Sequence, residues 1–492
     1  MTATASVKTY QNYIGGEWVD SATGATSENR NPARPGEVLG RFQSSNAGDV
    51  NRAMEAARGA FDGWRKTSPI ARANILYKAA QLVERRADEI GEALTREEGK
   101  TLKEGKGETL RAAAILRFFA GEGAQPIGDR LPSANPTTFL YTERVPLGVV
   151  AAITPWNFPI AIPAWKIAPA LIYGNTVVFK PAGLTPLTAT LLTECLAEAG
   201  LPAGVLNLVT GAGREIGDAI VEHETVNAVT FTGSNAVGKA LYRKAAASDR
   251  SVKVQLEMGG KNPVIVLADA DMDQALQQTL NGAMMSTGQK CTATSRAFVQ
   301  RPVFDDFVDR LVKRAGALRV GDPLEATTDI GPLVSAQQRD TVLEYLEVGQ
   351  SEGGEVLVGG GAPEGNGDGG YFVKPTIFGQ MTPQMRLSRE EIFGPVLAVM
   401  PVDDLEEGVA LANDTSYGLS ASIFTRDIAT AFRFIRDIES GIVHVNSETA
   451  GAEPHAPFGG MKASSSFSRE QGKTAIDFFT QVKTVYFDVP TS

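Results

Sequence analysis

The chain has 492 residues, 43% of them hydrophobic and 21% charged. That is the composition of an ordinary globular protein, but the length exceeds one hydrophobic core and predicts two or three domains. A formal net charge of −10 argues against a general nucleic-acid surface, and two cysteines with three scattered histidines (His223, His444 and His455) exclude a disulfide framework and offer no metal-binding cluster.

The amino terminus, Met1-Thr-Ala-Thr-Ala-Ser-Val-Lys-Thr-Tyr, lacks an apolar signal core, and no apolar run reaches membrane length. A cytoplasmic protein with no membrane contact is expected. Residues 10–45 read as turns and short strands. From about Ala47 to Phe119 the pattern is helical: Ala53, Ala56, Ala57, Ala60, Phe61 and Trp64 recur at i, i+3, i+4 spacing, and Ile75 to Ile90 continues it. The segment from Pro126 to Pro136 breaks this pattern, and Thr138-Phe-Leu-Tyr-Thr-Glu-Arg-Val reads as an extended ribbon.

From Gly148 the texture becomes α/β. Strands are predicted at Val149–Ile153, Thr176–Phe179, Val205–Val209, Val226–Phe231 and Val264–Leu267, with helices at 160–173, 186–199, 214–222 and 235–247 between them. Short β-branched runs alternating with helices predict a parallel sheet, which binds ligands at the carboxyl ends of its strands. A second alternating series follows, with a strand at Ala297–Val299, helices at 303–317 and 341–350, and strands at Val396–Val402, Ser422–Phe424 and Gly441–Val445. The glycine cluster within Ser351–Gly370, including Gly365 and Gly367, reads as a surface loop. The tail Gln481-Val-Lys-Thr-Val-Tyr-Phe alternates like a strand of the kind that joins another sheet or subunit.

Chemistry concentrates in a few loops. Cys195 lies in an amphipathic helix pattern and reads as packing. Cys291, in Thr287-Gly-Gln-Lys-Cys-Thr-Ala-Thr-Ser-Arg, sits among glycine, hydroxyls and charge, where packing supplies no reason for a thiol. A thiol attacks carbon as thiolate, so such a residue wants a partly exposed, electropositive setting, and the adjacent Lys290 is compatible with one. Phe231-Thr-Gly-Ser-Asn-Ala-Val-Gly-Lys follows a strand and opens a helix, where backbone N–H groups stabilise a phosphate. Its spelling approaches a P-loop, but Ala240 stands where a magnesium-holding hydroxyl is required. Leu256-Glu-Met-Gly-Gly-Lys-Asn-Pro puts Glu257 at a strand end, as a general base or as a plain loop carboxylate. In Ile153-Thr-Pro-Trp-Asn-Phe-Pro two prolines stiffen the loop that aims the Asn157 amide, the donor type of an oxyanion hole, although a turn-stabilising asparagine looks the same. Lys180 ends a buried strand, where a lysine is costly without an anionic partner such as a nucleotide.

Together Thr154-Pro-Trp-Asn-Phe-Pro, Phe179-Lys-Pro, Phe231-Thr-Gly-Ser, Leu256-Glu-Met-Gly-Gly-Lys-Asn, Gly288-Gln-Lys-Cys, Glu391-Ile-Phe-Gly-Pro and Pro457-Phe-Gly-Gly resemble the aldehyde dehydrogenase superfamily, in order and spacing over nearly the whole chain. The resemblance implies a Rossmann-like NAD(P)-binding domain (1–124 and 147–256), an α/β catalytic domain (257–470) and a small β oligomerisation ribbon (125–146 and 471–492) that completes a neighbouring subunit's sheet in a homodimer or homotetramer. It implies Cys291 as nucleophile, Glu257 as general base, and Asn157 with the Cys291 backbone N–H as oxyanion hole. On the cofactor side it implies Lys180 and Glu391 for the riboses, Ser234 for the pyrophosphate, and Trp156 and Phe393 around the nicotinamide. Thr154, Pro155, Gly183, Gly213 and Gly233 complete that groove.

Relatives that pass the acyl group to coenzyme A lack a glutamate at the position of Glu257, so the expected product is a free acid. Strict NAD users in this family resemble each other in a glutamate three residues after the cofactor lysine. Gly183 stands there, and without a carboxylate to repel a 2′-phosphate NADP is expected to be accepted beside NAD. The segment Val445–Gly472 looks like that of bacterial α-ketoglutarate semialdehyde (2,5-dioxopentanoate) dehydrogenases. An acidic aldehyde needs a cation or donors at the tunnel mouth, for which Arg111 and Arg117 are candidates. The alternatives are another semialdehyde or general aldehydes as substrate, a P-loop hydrolase, which Ala240 disfavours, and a catalytically silent member, which is disfavoured because Cys291 and Glu257 are both present.

Overall fold

The computed structural model describes residues 7–364 and 369–489; Gly365, Gly367 and the two chain ends lie outside them. Two seven-stranded sheets organise the molecule. The first runs in the order Lys253–Glu257, Val226–Thr232, Val149–Ile153, Thr176–Lys180, Leu206–Leu208, Asn12–Ile14 and Glu17–Val19. Its first five strands are parallel, and the amino-terminal hairpin closes the edge antiparallel. Val149–Ile153 and Thr176–Lys180 are buried at every residue, which is why they read as continuous apolar runs rather than alternating ones.

The second sheet runs Glu355–Val358, Thr376–Gly379, Val396–Val402, Thr294–Gln300, Asn262–Val266, Ser420–Phe424 and Ile442–Val445, and it is parallel except for its first strand. Apolar cores lie on both faces of each sheet. A third, antiparallel sheet of three strands joins Thr480–Asp488 to Thr138–Pro146 and Arg130–Leu131, so within this chain the alternating tail pairs with its own ribbon.

The amino-terminal helical region resolves into Ala47–Lys66, Pro69–Arg85, Ala87–Glu98 and Leu102–Glu122. The run expected through Ile90 breaks at Arg86. Reciprocal capping boxes start the first and last of these helices, from Asn46 with Asp49 and from Thr101 with Glu104. Among the described residues, the helices Met272–Met284, Leu405–Asn413 and Ile428–Asp437, each capped by an aspartate, and the short helices Arg386–Arg389 and Ala475–Phe479 have no counterpart in the sequence reading. The glycine cluster is not loop throughout, because the strand Glu355–Val358 lies inside it.

Register places the site. Ile153 lies beside both Lys180 and Phe231, and Thr232 lies beside Glu257. The loops that leave these four strands therefore converge at one end of the first sheet, the end where parallel α/β sheets bind ligands.

Candidate active site

The chain reaches Cys291 through a tight turn. After helix Met272–Met284, Ser286 and Thr287 take φ of 53° and Gly288 takes φ of +65°. A Cβ on Gly288 would lie 2.1 Å from the carbonyl oxygen of Gly394, so only glycine allows the cysteine loop to pack against the loop that carries Glu391 and Phe393. Asn262 Nδ2 donates to the carbonyls of Cys291 (2.8 Å) and Ala293 (2.9 Å), while its Oδ1 accepts from the Ser420 N–H (3.0 Å). The backbone of Cys291 is thereby clamped to the second sheet.

The thiol does not occupy the electropositive setting expected of it. Cys291 is half-buried by surface area, yet the protein around it is dense enough that burial is the main cause pushing its pKa up to about 12, followed by the charges of Glu391 and Glu257. Backbone N–H groups of Thr292 and Cys291 oppose that rise. The Lys290 charge attracts the Cys291 thiolate but does not offset the burial, and its Nζ turns to the Asn281 carbonyl (3.2 Å) and lies 3.8 Å from Glu448.

Two cavities meet at Cys291. One, of about 230 Å³, is lined by Cys291 together with Pro155, Trp156, Asn157, Gly233, Ser234, Glu391 and Phe393. Its aromatic wall is the edge-to-face pair Trp156–Phe393, with centroids 5.3 Å apart. The other, of about 390 Å³, is lined by Cys291 with Phe158, Trp165, Phe458 and several charged side chains, among them Arg111. Arg117 does not reach it and pairs with Glu84 on the surface.

The smaller cavity and the strand ends beside it suit a dinucleotide. Lys180 is 5% exposed, and its Nζ donates only to the Pro181 carbonyl (2.9 Å). Burial without a carboxylate partner lowers its pKa to about 8, a cost that an anionic or polyhydroxyl ligand relieves. Gly213 opens the helix Gly213–Glu222, and a Cβ there would sit 3.9 Å from Lys180 Nζ, so that helix's free N–H end faces the same amine. Thr154 and Thr232 carry buried hydroxyls without hydrogen-bond partners. Ser234 caps the helix Asn235–Ala246. Glu391 accepts from the Gly260 N–H (3.0 Å), and burial raises its carboxyl to about 7. A Cβ on Gly259 would lie 2.0 Å from Glu391 Oε2, so the glycine at 259 is what admits this carboxylate. Gly183 is exposed, with no atom within 4 Å of where a Cβ would stand.

Asn157 is buried, lines the smaller cavity beside Cys291, and donates from Nδ2 to the Gln289 carbonyl at 3.0 Å. Its loop is braced by a buried ion pair absent from the sequence reading. Lys100 Nζ donates to the Asn157 carbonyl (2.7 Å) and to Glu108 Oε2 (2.8 Å), and Glu108 Oε1 accepts from the N–H groups of Ile160 and Ala161 (3.1 Å each).

Glu257 is 2% exposed. Its Oε2 accepts from Ser465 Oγ at 2.5 Å, while Oε1 is buried without a partner. Burial first, then the nearby Glu470 carboxylate, raises its pKa well above the ordinary carboxylate value. Glu470 is itself paired with the fully buried Lys166, which also donates to Thr230 Oγ1 (2.9 Å). Lys100, Glu108, Asn262, Ser465, Lys166 and Glu470 are thus site residues that sequence reasoning missed. Asn262 closes the quoted Leu256–Asn262 motif, and Ser465 and Glu470 lie in the quoted Val445–Gly472 segment, which was read for its resemblance and not for these side chains; Lys100, Glu108 and Lys166 carried no signal. Among the described residues no group of His, Cys, Asp and Glu could hold a metal ion, and no helix is long and apolar enough to cross a membrane.

Comparison with known proteins places the chain in a family. The aldehyde dehydrogenase family model matches residues 18–485. The α-ketoglutaric semialdehyde dehydrogenase of Bacillus subtilis is 51% identical over 487 residues, 99% of each chain. The α-ketoglutarate semialdehyde dehydrogenase of Haloferax volcanii is 48% identical over 97% of this chain and 98% of its own. Among solved structures, betaine aldehyde dehydrogenase from Staphylococcus aureus in complex with NAD+ superposes with a TM-score of 0.95 at 34% identity, covering 98% of this chain and 95% of that one. The chain therefore belongs to the aldehyde dehydrogenase family and is an NAD(P)-dependent oxidoreductase of aldehydes.

Proposed function

We propose that the chain oxidises α-ketoglutarate semialdehyde to 2-oxoglutarate through a thioester on Cys291. The observation that carries the catalytic reading is that one sulfur borders both a cavity suited to a dinucleotide and a separate cavity open to an aldehyde. The substrate reading draws on the curated relatives named above and on a third, the 2,5-dioxopentanoate dehydrogenase of Saccharolobus solfataricus, 43% identical over 98% of this chain and 99% of its own.

In this reading the Cys291 thiol loses its proton to solvent in the adjoining cavity and the thiolate attacks the aldehyde carbon. The oxyanion that forms is stabilised by the Asn157 amide and the Cys291 N–H, donors fixed beforehand by the Lys100–Glu108 brace and the Asn262 clamp. Thr154, Lys180, Gly213, Gly233, Ser234 and Glu391 would hold the cofactor, with Trp156 and Phe393 framing its nicotinamide, and NAD(P) bound there would supply the hydride acceptor for oxidation of the adduct to a thioester on Cys291. Glu257 then takes a proton from water, which hydrolyses the thioester to a free acid. Its raised carboxyl pKa suits that task, since a base works best near the operating pH.

NADP is accepted beside NAD in this reading, because the position of Gly183 offers open space and no carboxylate near the Lys180 cation. The exposed Val482, Tyr486 and Phe487 of the tail strand support a homodimer or homotetramer in which the ribbon extends a partner's sheet. Cys195 and Cys291 are both free, and a working thiol suits the reducing cytoplasm. The test is absorbance at the reduced-nicotinamide band with a panel of aldehydes, for the wild type and for Cys291→Ala. Turnover that survives the substitution overturns the mechanism. Activity on the semialdehyde no better than on neutral aliphatic aldehydes overturns the substrate.

A further inference from the structure

The larger cavity at Cys291 is lined by six charged side chains: Lys100, Glu104, Glu108, Arg111, Lys290 and Glu448. Five are committed to neighbours. Glu108 is held by Lys100 and two backbone N–H groups. Glu104 caps its own helix through the Thr101 N–H (2.9 Å) and also accepts from the Ser286 N–H (2.7 Å). Lys290 and Glu448 face each other at 3.8 Å. Arg111 is the exception: among the described residues its guanidinium makes no hydrogen bond and no ion pair.

Arg111 is partly exposed to a cavity whose wall also carries Phe158, Trp165 and Phe458, so an anion that enters meets a guanidinium with no competing carboxylate partner. Gly107, one helical turn earlier, lines the same cavity, and a Cβ there would meet nothing within 4 Å. Glycine inside a helix costs about 1 kcal/mol relative to alanine. No packing contact requires it here, but a side chain at that position would narrow the space beside Arg111.

We propose that Arg111 receives the distal carboxylate of the substrate while the aldehyde carbon lies at Cys291, and so sets the preference for acidic over neutral aldehydes. The inference rests on the semialdehyde reading above. A planar guanidinium pairs with a carboxylate through two parallel N–H···O bonds, which fixes orientation as well as charge.

The experiment compares kcat/KM for 2,5-dioxopentanoate with kcat/KM for pentanal in the wild type, Arg111→Leu, Arg111→Lys and Arg117→Leu. Arg111→Leu is expected to lower the acid-to-neutral ratio about a hundredfold, chiefly through KM for the acid, because charge-assisted bonds contribute on that scale. Arg111→Lys is expected to restore about a tenth of the wild-type ratio, and Arg117→Leu to leave the ratio unchanged. A wild type that shows no preference for the acid overturns the semialdehyde reading and this inference with it. A wild-type preference that survives in Arg111→Leu, or a loss equal on both aldehydes, overturns the role of Arg111 alone.

Discussion

Lys100 donates to the backbone carbonyl of Asn157 at 2.7 Å from a position 57 residues earlier in the chain. The same amine meets Glu108, whose other oxygen holds the first N–H groups around the following helix. One buried ion pair thus fixes the loop that carries Asn157 into the cavity it shares with Cys291. Lys100→Met removes one partner and leaves the Glu108 charge buried and unpaired, which costs about 3–5 kcal/mol. We expect urea unfolding to report a loss of that size. We also expect kcat to fall about a hundredfold, the effect of an ångström-scale misplacement of a catalytic group. Wild-type kcat in a folded variant would show that the brace has no part in aiming Asn157.

The resting thiol of Cys291 is held protonated, with a pKa near 12. Only the thiolate reacts with an alkylating agent, so its fraction rises about tenfold per pH unit everywhere below that value. In the cofactor-free enzyme the iodoacetamide inactivation rate should therefore climb with unit slope on a logarithmic plot from about pH 7 to about pH 10. A plateau near pH 8 would mean that the site stabilises thiolate before any ligand arrives. Cys195 does not confuse the measurement, since it is fully buried and its thiol is likewise raised, to about 11.

The buried strands were legible because parallel sheet covered on both faces demands unbroken β-branched runs, and Val149–Ile153 and Val396–Val402 match their predicted limits. Glu257 and Lys180 were legible as candidates for a related reason, since each ends a strand of the first sheet, and Cys291 stood out as a thiol in a segment of glycine, hydroxyls and charge. Side-chain direction was not legible. Lys290 adjoins Cys291 in sequence but projects toward Asn281 and Glu448. Arg111 and Arg117 share a helix, yet six residues at 3.6 per turn face them to different sides, and only Arg111 enters the cavity. Glu104 and Glu108 resemble a solvated face at i, i+4 spacing, and their partners Ser286 and Ile160 lie far along the chain. Such partners carry no local signal.

Lys180 gives cofactor affinity a pH dependence with a definite sign. Burial lowers its folded pKa to about 8 from an ordinary 10.5, so the amine is a cation below about pH 8 and neutral above. The cationic form is the one that attracts phosphate or ribose oxygens. Cofactor Kd, followed by tryptophan fluorescence, should stay level from about pH 6.5 to 7.5 and then weaken as pH rises through 8. Lys180→Met should bind more weakly throughout and lose the inflection. An inflection that persists in the variant would assign the titration to another group. The same shift acts on folding with opposite consequence. The unfolded chain binds the extra proton between about pH 8 and 10.5, so this residue's contribution to stability increases with pH across that window.

Gly183 tests cofactor choice where folding is not at risk. It is exposed, its backbone is not left-handed, and an added Cβ would meet no atom within 4 Å, so Gly183→Glu is accommodated without strain. The new carboxylate would stand three residues beyond Lys180. An adenosine ribose can donate its 2′-hydroxyl to such a group, whereas a 2′-phosphate meets like charge. The wild type is expected to turn over with NADP as well as NAD, and Gly183→Glu to lower kcat/KM for NADP at least tenfold, about 1.4 kcal/mol of discrimination, while NAD is kept or improved. Adding salt should partly restore NADP use in the variant, because the repulsion between partly exposed charges is screened. A wild type that already favours NAD by about a hundredfold would refute the openness of this position to the phosphate. A variant that loses both cofactors equally would place Gly183 against the ribose itself, where any side chain obstructs.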